Sequence, residues 1–195
     1  MPRLILASNS AQRKKLLTML GLKFTVIPSR VEEVQNITTS CQSLVKHNAF
    51  IKANDVASRL KDGIVIGADS VVYVGGKTII GKPKDLKDAK RILKLLFSRP
   101  HWVYTGVAVI DVKSGKKVVD YDKTKIFMTP LSDEEIDVYH QKMHPFDKAG
   151  GFDIEGYGSL FIRRIEGCYT NVIGLPIAKL SQILKQFRIS ILKGV

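Results

Sequence analysis

The chain has 195 residues, of which 45% are hydrophobic and 25% charged, a composition typical of a globular protein with a real core. No apolar run approaches the roughly 20 residues that a membrane-spanning helix needs, which argues against a membrane-embedded function. Lys and Arg outnumber Asp and Glu by 31 to 18, a formal net charge of +13. This surplus suits a polyanionic partner, either nucleic acid or a phosphorylated small molecule, but it is also compatible with a merely solvated surface.

The two cysteines and the N-terminus indicate the compartment. Cys41 and Cys168 are far apart and match no metal-binding spacing, so the simplest interpretation is two free thiols in a reducing environment. The first apolar segment is typical of a core strand rather than of a signal peptide. We therefore expect a cytoplasmic protein.

Strand-like and helical segments alternate along the chain. Leu4–Ala7 is predicted to be a short buried strand, and the helix after it is capped by Ser10 and ended by Gly21. The segments that follow are, in order, the strand LKFTVIP, a helix from about Thr38 to Leu60, the strand GIVIGADSVVYV, the helix DLKDAKRILKLLF, a long hairpin of HWVYTGVAVIDV and KKVVDYDKTKIFMTP turning at Ser114–Gly115, the helix SDEEIDVYHQ, the glycine-rich stretch KAGGFDIEGYGSLFIRRIEG, and the helix PIAKLSQILKQF. This order predicts an α/β or α+β protein with a mixed, twisted sheet flanked by helices.

The stretch SNSAQRKK places three cations at the start of the first helix. Arg13 falls in the first turn, where the helix dipole disfavours a cation and favours an anion. In one interpretation Arg13 is solvated, at a cost of roughly a few tenths of a kcal/mol. In the other, free N–H groups, hydroxyls and Arg13 together bind an anion, as strand-to-helix phosphate loops do.

Carboxylates occur at two places in the sequence where they could bind a metal or take part in catalysis. Asp69 interrupts the apolar run IVIGADSVVYV, and a carboxylate inside a buried strand is costly unless it is paired or binds a metal. The alternative is that Asp69 lies at the end of the strand and caps it. Glu32 and Glu33 follow the second strand and are either a solvated pair or a source of hard oxygen ligands for Mg²⁺.

Two lysines complete the candidate constellation. Lys52 falls at the edge of an apolar helical seam, where it is either a surface lysine with a buried stem or a functional cation. Lys82 lies in a loop restricted by Gly81 and Pro83, which could fix its ammonium group in space. Together with Arg13 and the acidic residues, these lysines describe a site for a divalent metal and a polyphosphate.

Seven segments of the chain resemble, in the same order, the motifs of the Maf family of nucleotide pyrophosphatases. They are LILASNSAQRKKLL, SRVEE, IGADSVV, GKPKD, YTGVAV, DKAGGFDIEGYGSLFI and NVIGLP. The resemblance spans nearly the whole chain and implies a single domain over residues 1–195, with two lobes and a central cleft as in inosine triphosphate pyrophosphatases. It also implies a homodimer that hydrolyses nucleoside triphosphates to monophosphates and pyrophosphate with Mg²⁺ or Mn²⁺. The family's historical name concerns inhibition of septum formation.

The resemblance assigns roles by motif position. It makes Asp69 the proton acceptor of the reaction and pairs Glu33 with Asp69 as metal ligands. Four further residues match the polar positions that line the triphosphate: Ser8, Arg13, Lys52 and Lys82. The opening stretch SNSAQRKK then resembles a phosphate cradle, in which substrate charge compensates Arg13.

Three departures from the pyrimidine-selective members bear on substrate preference. Gln12 stands in a triplet that reads proline-arginine-arginine in those members, Ser70 replaces a threonine, and Glu155 replaces a glutamine. An ionised carboxylate cannot donate a hydrogen bond, and a glutamate also occupies this motif in members acting on 7-methylguanosine triphosphate. The segments DKAGGF and CYTNVIGLP resemble the dTTP/UTP group. We expect dTTP or UTP as substrate, with 7-methyl-GTP as the alternative.

Two other classes of function compete with this interpretation. The positive charge could belong to a nucleic-acid-binding module, but the aromatic residues are scattered along the sequence and no recognised nucleic-acid-binding motif is present. The chain could also be a non-catalytic regulatory protein of the same fold. Because Asp69, Glu33, Lys52 and Lys82 are all present, we expect an enzyme that forms no stable complex with nucleic acid or membranes.

Overall fold

The computed structural model describes residues 2–34, 40–76 and 78–192. Its strands are β1 (Leu4–Leu6), β2 (Phe24–Val26), β3 (Ile64–Gly75), β4 (Thr78–Ile80), β5 (His101–Asp111), β6 (Lys117–Met128) and β7 (Ile162–Glu166). Its α-helices are α1 (Ala11–Met19), α2 (Cys41–Ala57), α3 (Leu86–Ser98), α4 (Asp133–Lys142), α5 (Tyr169–Ile173) and α6 (Ile177–Lys185). Three short 3₁₀ helices cover Pro145–Asp147, Ala149–Gly151 and Gly156–Leu160.

All seven strands belong to one mixed sheet. Its order is β2-β1-β3-β5-β6-β7, with β4 paired to β3. β1 runs parallel to β2 and to β3, whereas β4 is antiparallel to β3 and β7 is antiparallel to β6. The prediction of a mixed sheet flanked by helices is confirmed. In the described part of the chain, no helix combines the length and apolarity needed to cross a membrane.

The chain divides into two compact units. The first unit comprises the described residues of Met1–Asp69, Thr105–Asp122 and Gly174–Val195, and the second comprises those of Ser70–Tyr104 and Lys123–Ile173. Each has its own apolar cluster. The first is built around Ile5, Ala49, Ala53, Val56, Val65 and Ala108. The second is built around Val72, Leu93, Val103, Ile126, Ile136 and Phe161. The assignment of residues 1–195 to a single domain stays a prediction.

Helix α2 packs so closely on the sheet that its backbone contacts glycines in two strands. A Cβ added to Gly67 in β3 would lie 2.4 Å from the carbonyl oxygen of Ala49, and one added to Gly106 in β5 would lie 2.1 Å from that of Val45. Only glycine fits at such an approach. The helix begins at Cys41 after the cap residue Ser40, so the predicted start near Thr38 lies outside the described residues. It ends at Ala57 rather than at Leu60, because residues 58–60 form a turn.

The hairpin prediction is confirmed. Strands β5 and β6 are neighbours in the sheet, and the turn between them contains Gly115 with a φ of 70°. The glycine-rich stretch that follows α4 contains two elements that the sequence did not reveal, a run of 3₁₀ turns and strand β7. Such short elements carry too few residues for a hydrophobic period.

Candidate active site

Arg13 is held inside the first unit by the residues around the start of α1. Ser10 caps the helix, since its side chain accepts a hydrogen bond from the backbone N–H of Arg13 at 3.4 Å. The Nη1 group of Arg13 donates to Ser8 Oγ at 3.2 Å and to the carbonyl oxygen of Ala68 at 2.9 Å, and its Nε donates to the carbonyl oxygen of Gly174 at 2.9 Å. Arg13 is buried, which rules out the solvated alternative.

The electrostatic surroundings of Arg13 include two carboxylates. Burial lowers the pKa of its guanidinium, and the negative charges of Asp69 and Glu33 act in the opposite direction. An arginine keeps its proton in proteins, so the group remains a buried cation. Gln12, one position earlier, is half-buried, and its Oε1 accepts a hydrogen bond from Ser10 Oγ at 3.2 Å.

Asp69 lies in the middle of β3 and is paired by helix α2. It is the sixth of the twelve residues of the strand and is buried, which excludes the strand-end alternative. Its Oδ1 accepts from Lys52 Nζ at 2.7 Å and its Oδ2 accepts from Asn48 Nδ2 at 3.0 Å. Asn48 and Lys52 are four residues apart, so they share one face of α2. The cost of burying this carboxylate is thereby offset by two donors.

Lys52 connects Asp69 to Glu33. The ammonium group lies 2.6 Å from Glu33 Oε1 as well as 2.7 Å from Asp69 Oδ1. The Lys52 side chain is only 10% exposed, whereas that of Glu33 is 53% exposed. Lys52 is therefore not a surface lysine: its ammonium group is buried and contacts two carboxylates.

Asn48 is a site residue that the sequence reasoning missed. Its Oδ1 accepts from the backbone N–H of Val34 at 3.0 Å, and its Nδ2 donates to the carbonyl oxygen of Val34 at 2.9 Å. The same amide thus anchors the segment that carries Glu33 and contacts Asp69. A signal was present in the sequence, because an asparagine interrupts the apolar seam of Val45 and Ala49 four residues before Lys52.

The remaining predicted residues belong to the second unit. Lys82 is exposed, in a loop tied to the glycine-rich stretch through a hydrogen bond of 2.9 Å from the N–H of Gly150 to the carbonyl oxygen of Gly81. Glu155 is half-buried and directly precedes the 3₁₀ helix Gly156–Leu160. Ser70 follows Asp69 in β3 and is half-buried.

The donor set in the first unit suits a hard divalent cation. Glu33 and Asp69 offer carboxylate oxygens, which Mg²⁺ and Mn²⁺ prefer, and the ammonium of Lys52 shows that positive charge is accommodated between them. Within the described ranges, no group of three or more His, Cys, Asp or Glu side chains could enclose a metal. Mg²⁺ commonly binds through one or two carboxylates plus substrate phosphates, so two carboxylates fit a metal shared with a nucleotide.

A buried Asp–Lys pair that is joined by an exposed glutamate and lies next to a buried arginine is typical of a site that binds a metal and a phosphate ester or anhydride. The chain belongs to the Maf-like protein family, whose pattern it matches over residues 3–187.

Two similar proteins carry the name dTTP/UTP pyrophosphatase. The dTTP/UTP pyrophosphatase of Alkaliphilus metalliredigens is 46% identical over 194 residues, covering 98% of this chain and 100% of the relative. The dTTP/UTP pyrophosphatase of Caldicellulosiruptor saccharolyticus is 38% identical over 198 residues, covering 100% of this chain and 99% of the relative. Among solved structures, the Staphylococcus aureus Ham1 protein aligns with a TM-score of 0.45 and 15% identity, covering 65% of this chain and 72% of that one.

Proposed function

We propose that the protein is a nucleoside triphosphate pyrophosphatase that hydrolyses dTTP and UTP to the monophosphate and pyrophosphate. The observation that carries the proposal is the buried carboxylate of Asp69, held between Asn48 and Lys52 beside Arg13. Such a carboxylate is oriented and close to cations, as a base acting on water near a phosphate must be. The relatives named dTTP/UTP pyrophosphatase share the whole length of the chain and supply the substrate class.

In this reaction Asp69 takes the proton from a water molecule as the water oxygen bonds to phosphorus. The anhydride bond between the α- and β-phosphates breaks, and its electron pair leaves with pyrophosphate. Arg13 and Lys52 offer positive charge to the phosphate oxygens, and Ser8 holds one end of the arginine fork. Lys82, in the second unit, is proposed as a further phosphate-binding residue.

The metal requirement is also a proposal. Glu33 and Asp69 would hold Mg²⁺ or Mn²⁺, which supplies Lewis-acid compensation of the charge on the phosphate oxygens. Lys52 contacts both carboxylates in this structure. Its ammonium would transfer to the phosphate oxygens when the carboxylates take up the metal.

The experiment is a panel assay of pyrophosphate release. The purified protein is incubated with dTTP, UTP, CTP, ATP, GTP and 7-methyl-GTP, with Mg²⁺, with Mn²⁺ and with EDTA. We expect release from dTTP and UTP that EDTA abolishes. Binding of nucleotide without any pyrophosphate release would favour the regulatory alternative, and preferred turnover of 7-methyl-GTP would favour the second substrate class.

Glu155 is the observation that favours this second candidate, 7-methyl-GTP. A carboxylate can accept hydrogen bonds from the N1–H and the amino group of a guanine together, and it cannot donate to a pyrimidine carbonyl. A homodimer and a cytoplasmic location remain proposals.

A further inference from the structure

One face of the sheet in the second unit carries aromatic and basic side chains. Side chains alternate between the two faces of a strand. Val103 in β5 and Ile126 in β6 point into the core of this unit, so Trp102, Lys125 and Phe127 project from the opposite face. Strand β7 continues that face, because Arg164 pairs with Phe127 across the two strands.

Cations and rings contact one another along this face. Lys123 Nζ lies 5.2 Å and Lys125 Nζ 5.5 Å from the ring centroid of Trp102. Lys125 Nζ also lies 5.1 Å from the centroid of Phe127, and Arg164 Cζ lies 4.0 Å from it. We call these five residues (Trp102, Lys123, Lys125, Phe127 and Arg164) the aromatic–basic face. The aromatic residues that are scattered in the sequence are therefore brought together with cations by the pairing of three strands.

The charge of this face is positive. Three of its five residues are cations and the other two are uncharged rings. Glu166 lies on the same face, paired with Lys125 across the two strands, and its Oε1 lies 2.8 Å from Arg164 Nη1, so three cations stand against one carboxylate. Lys123 and Arg164 are exposed, and Trp102, Lys125 and Phe127 are half-buried. The face therefore offers ring surfaces and ammonium groups side by side.

Contrary to the expectation from the sequence that no stable complex with nucleic acid forms, we propose that the aromatic–basic face binds single-stranded nucleic acid. Proteins that bind single strands combine cations for the phosphate backbone with exposed rings on which bases stack, and this combination tolerates any base. The ring of Trp102 would receive a base while Lys123 and Lys125 transfer from the ring to adjacent phosphates. None of the five residues belongs to the machinery assigned to pyrophosphate release, so the inference is independent of the proposed function.

The charge also argues against a second copy of this chain as the occupant. A two-fold contact through this face would place its lysines opposite those of the partner copy, and like charges across an interface cost free energy. A phosphodiester backbone has the complementary sign. The overall charge of +13 acts in the same direction at long range.

The test uses the full chain and a fluorescein-labelled oligouridylate of about 12 nucleotides, a length within the range that single-strand-binding folds occupy. Anisotropy gives the Kd between about 50 and 200 mM salt, where electrostatic binding changes most visibly. Trp102 is the only tryptophan in the sequence, so quenching of intrinsic fluorescence reports stacking at this face. We expect saturable binding, accompanied by quenching, that weakens with salt.

Two pairs of substitutions distinguish this face from general charge. Lys123→Gln with Lys125→Gln should weaken binding about tenfold and reduce the slope of log K against log salt by about 1.4, or about 0.7 for each phosphate that a lysine no longer neutralises. Lys61→Gln with Lys87→Gln removes the same charge from exposed positions elsewhere and should leave the slope nearly unchanged. Pyrophosphate release should be the same in both pairs.

The proposal is overturned if the oligonucleotide does not bind at low salt, if both pairs lose affinity equally, or if Trp102 fluorescence does not respond. Loss of self-association in the Lys123/Lys125 pair, measured by light scattering, would instead assign the face to a second copy. The lysine pair and the fluorescence of the unmodified protein decide the question without any substitution of a ring that packs on the sheet.

Discussion

Burial of the Asp69 carboxylate costs free energy, and the same carboxylate is the proposed base of the reaction. Two donors from α2 make its burial tolerable and at the same time fix the direction of both carboxylate oxygens. The substitution Asp69→Asn keeps the shape but removes the charge and the basicity. We expect kcat for dTTP to fall by at least ~10²-fold, the range that general base catalysis supplies, with the fold retained.

Circular dichroism and the melting temperature establish that the Asp69→Asn protein is folded. Asp62→Asn is the matched control, because Asp62 is exposed on the turn after α2 and should have no effect on turnover. Near-normal kcat in the Asp69→Asn variant would remove Asp69 from the mechanism.

Asn48 is predicted to position Asp69 and the segment that carries Glu33. Asn48→Ala removes a donor to a charged group, an interaction worth about 1.5–3 kcal/mol, together with two hydrogen bonds to Val34. We expect kcat to fall by about tenfold or more with little change in KM. Asn54→Ala, on an exposed position of the same helix, should leave the kinetics unchanged. Equal effects of the two substitutions would show that Asn48 contributes to the helix only.

Glu155 is predicted to influence the choice of base. Glu155→Gln restores a hydrogen-bond donor and removes a negative charge, so it should favour uracil and thymine over 7-methylguanine. A hydrogen bond to a charged group is worth about 1.5–3 kcal/mol, which corresponds to a change of roughly tenfold or more in the ratio of kcat/KM values for UTP and 7-methyl-GTP. Glu134→Gln on α4 is the control. If the ratio stays constant in Glu155→Gln, Glu155 does not contact the base.

At the scale of elements, α2 holds Asn48 and Lys52 at the distance set by two glycines. Gly106→Ala would place a Cβ 2.1 Å from the carbonyl oxygen of Val45 and force the helix away from β5. Overpacking of this kind costs about 1–3 kcal/mol of unfolding free energy. We expect a lower melting temperature and a lower kcat, because displacement of α2 also moves the donors of Asp69.

Chemical denaturation and the turnover of dTTP measure the two effects of Gly106→Ala. Gly81→Ala is the control for stability, since no atom lies within 4 Å of its added Cβ and its φ is not positive. A Gly106→Ala protein with unchanged stability and turnover would show that the helix can move without consequence.

The elements differ in how far the sequence determines them. Helix α1, the hairpin and the mixed sheet follow from apolar periodicity and from turn residues, and these predictions are confirmed. The family and the pyrophosphatase class are confirmed as well, because seven motifs in order carry more information than any local pattern. The 3₁₀ turns and β7 could not be predicted, since their few residues show no period and depend on tertiary contacts.

The residue types of the site could be predicted from the sequence, but the contacts between their side chains could not. Asp69 and Lys52 each stand out against an apolar background, but the sequence left open whether Lys52 faces water or the interior. Only the register between α2 and β3, set by Gly67 and Ala49, brings the two together. The hydrogen bonds of Asn48 with Val34 join residues 14 positions apart in the sequence, a separation for which no sequence rule exists.

For the molecule as a whole, the more deeply buried of two buried histidines among the described residues, His101, makes the free energy of unfolding depend on pH in the acid range. His101 is fully buried at the start of β5, with its ring edge-to-face against Phe152 at 5.7 Å. Burial lowers the pKa of His101 from 6.5 to about 4. Below pH 6.5 the unfolded chain therefore takes up a proton that the folded chain does not bind, and the free energy of unfolding falls as the pH falls.

The expected slope is up to about 1.4 kcal/mol per pH unit between the unfolded and folded pKa values, and it vanishes above pH 6.5. His101→Phe keeps a ring against Phe152 and should flatten this part of the stability profile. Urea denaturation at several pH values, with exposed His144→Gln as control, measures the difference. Parallel profiles for all three proteins would contradict the assignment to His101.

The position of Lys52 affects how readily the proposed site would bind a free metal ion. At the proposed metal site its ammonium would be a tethered competitor for Glu33 and Asp69, present at an effective concentration that free Mg²⁺ would have to overcome. A nucleotide changes this competition, because its phosphate oxygens provide another partner for the displaced ammonium. If Glu33 and Asp69 bind the metal as proposed, binding of the free ion is disfavoured relative to binding of a metal–nucleotide complex, and occupancy of the site should follow the supply of substrate rather than the free-ion concentration.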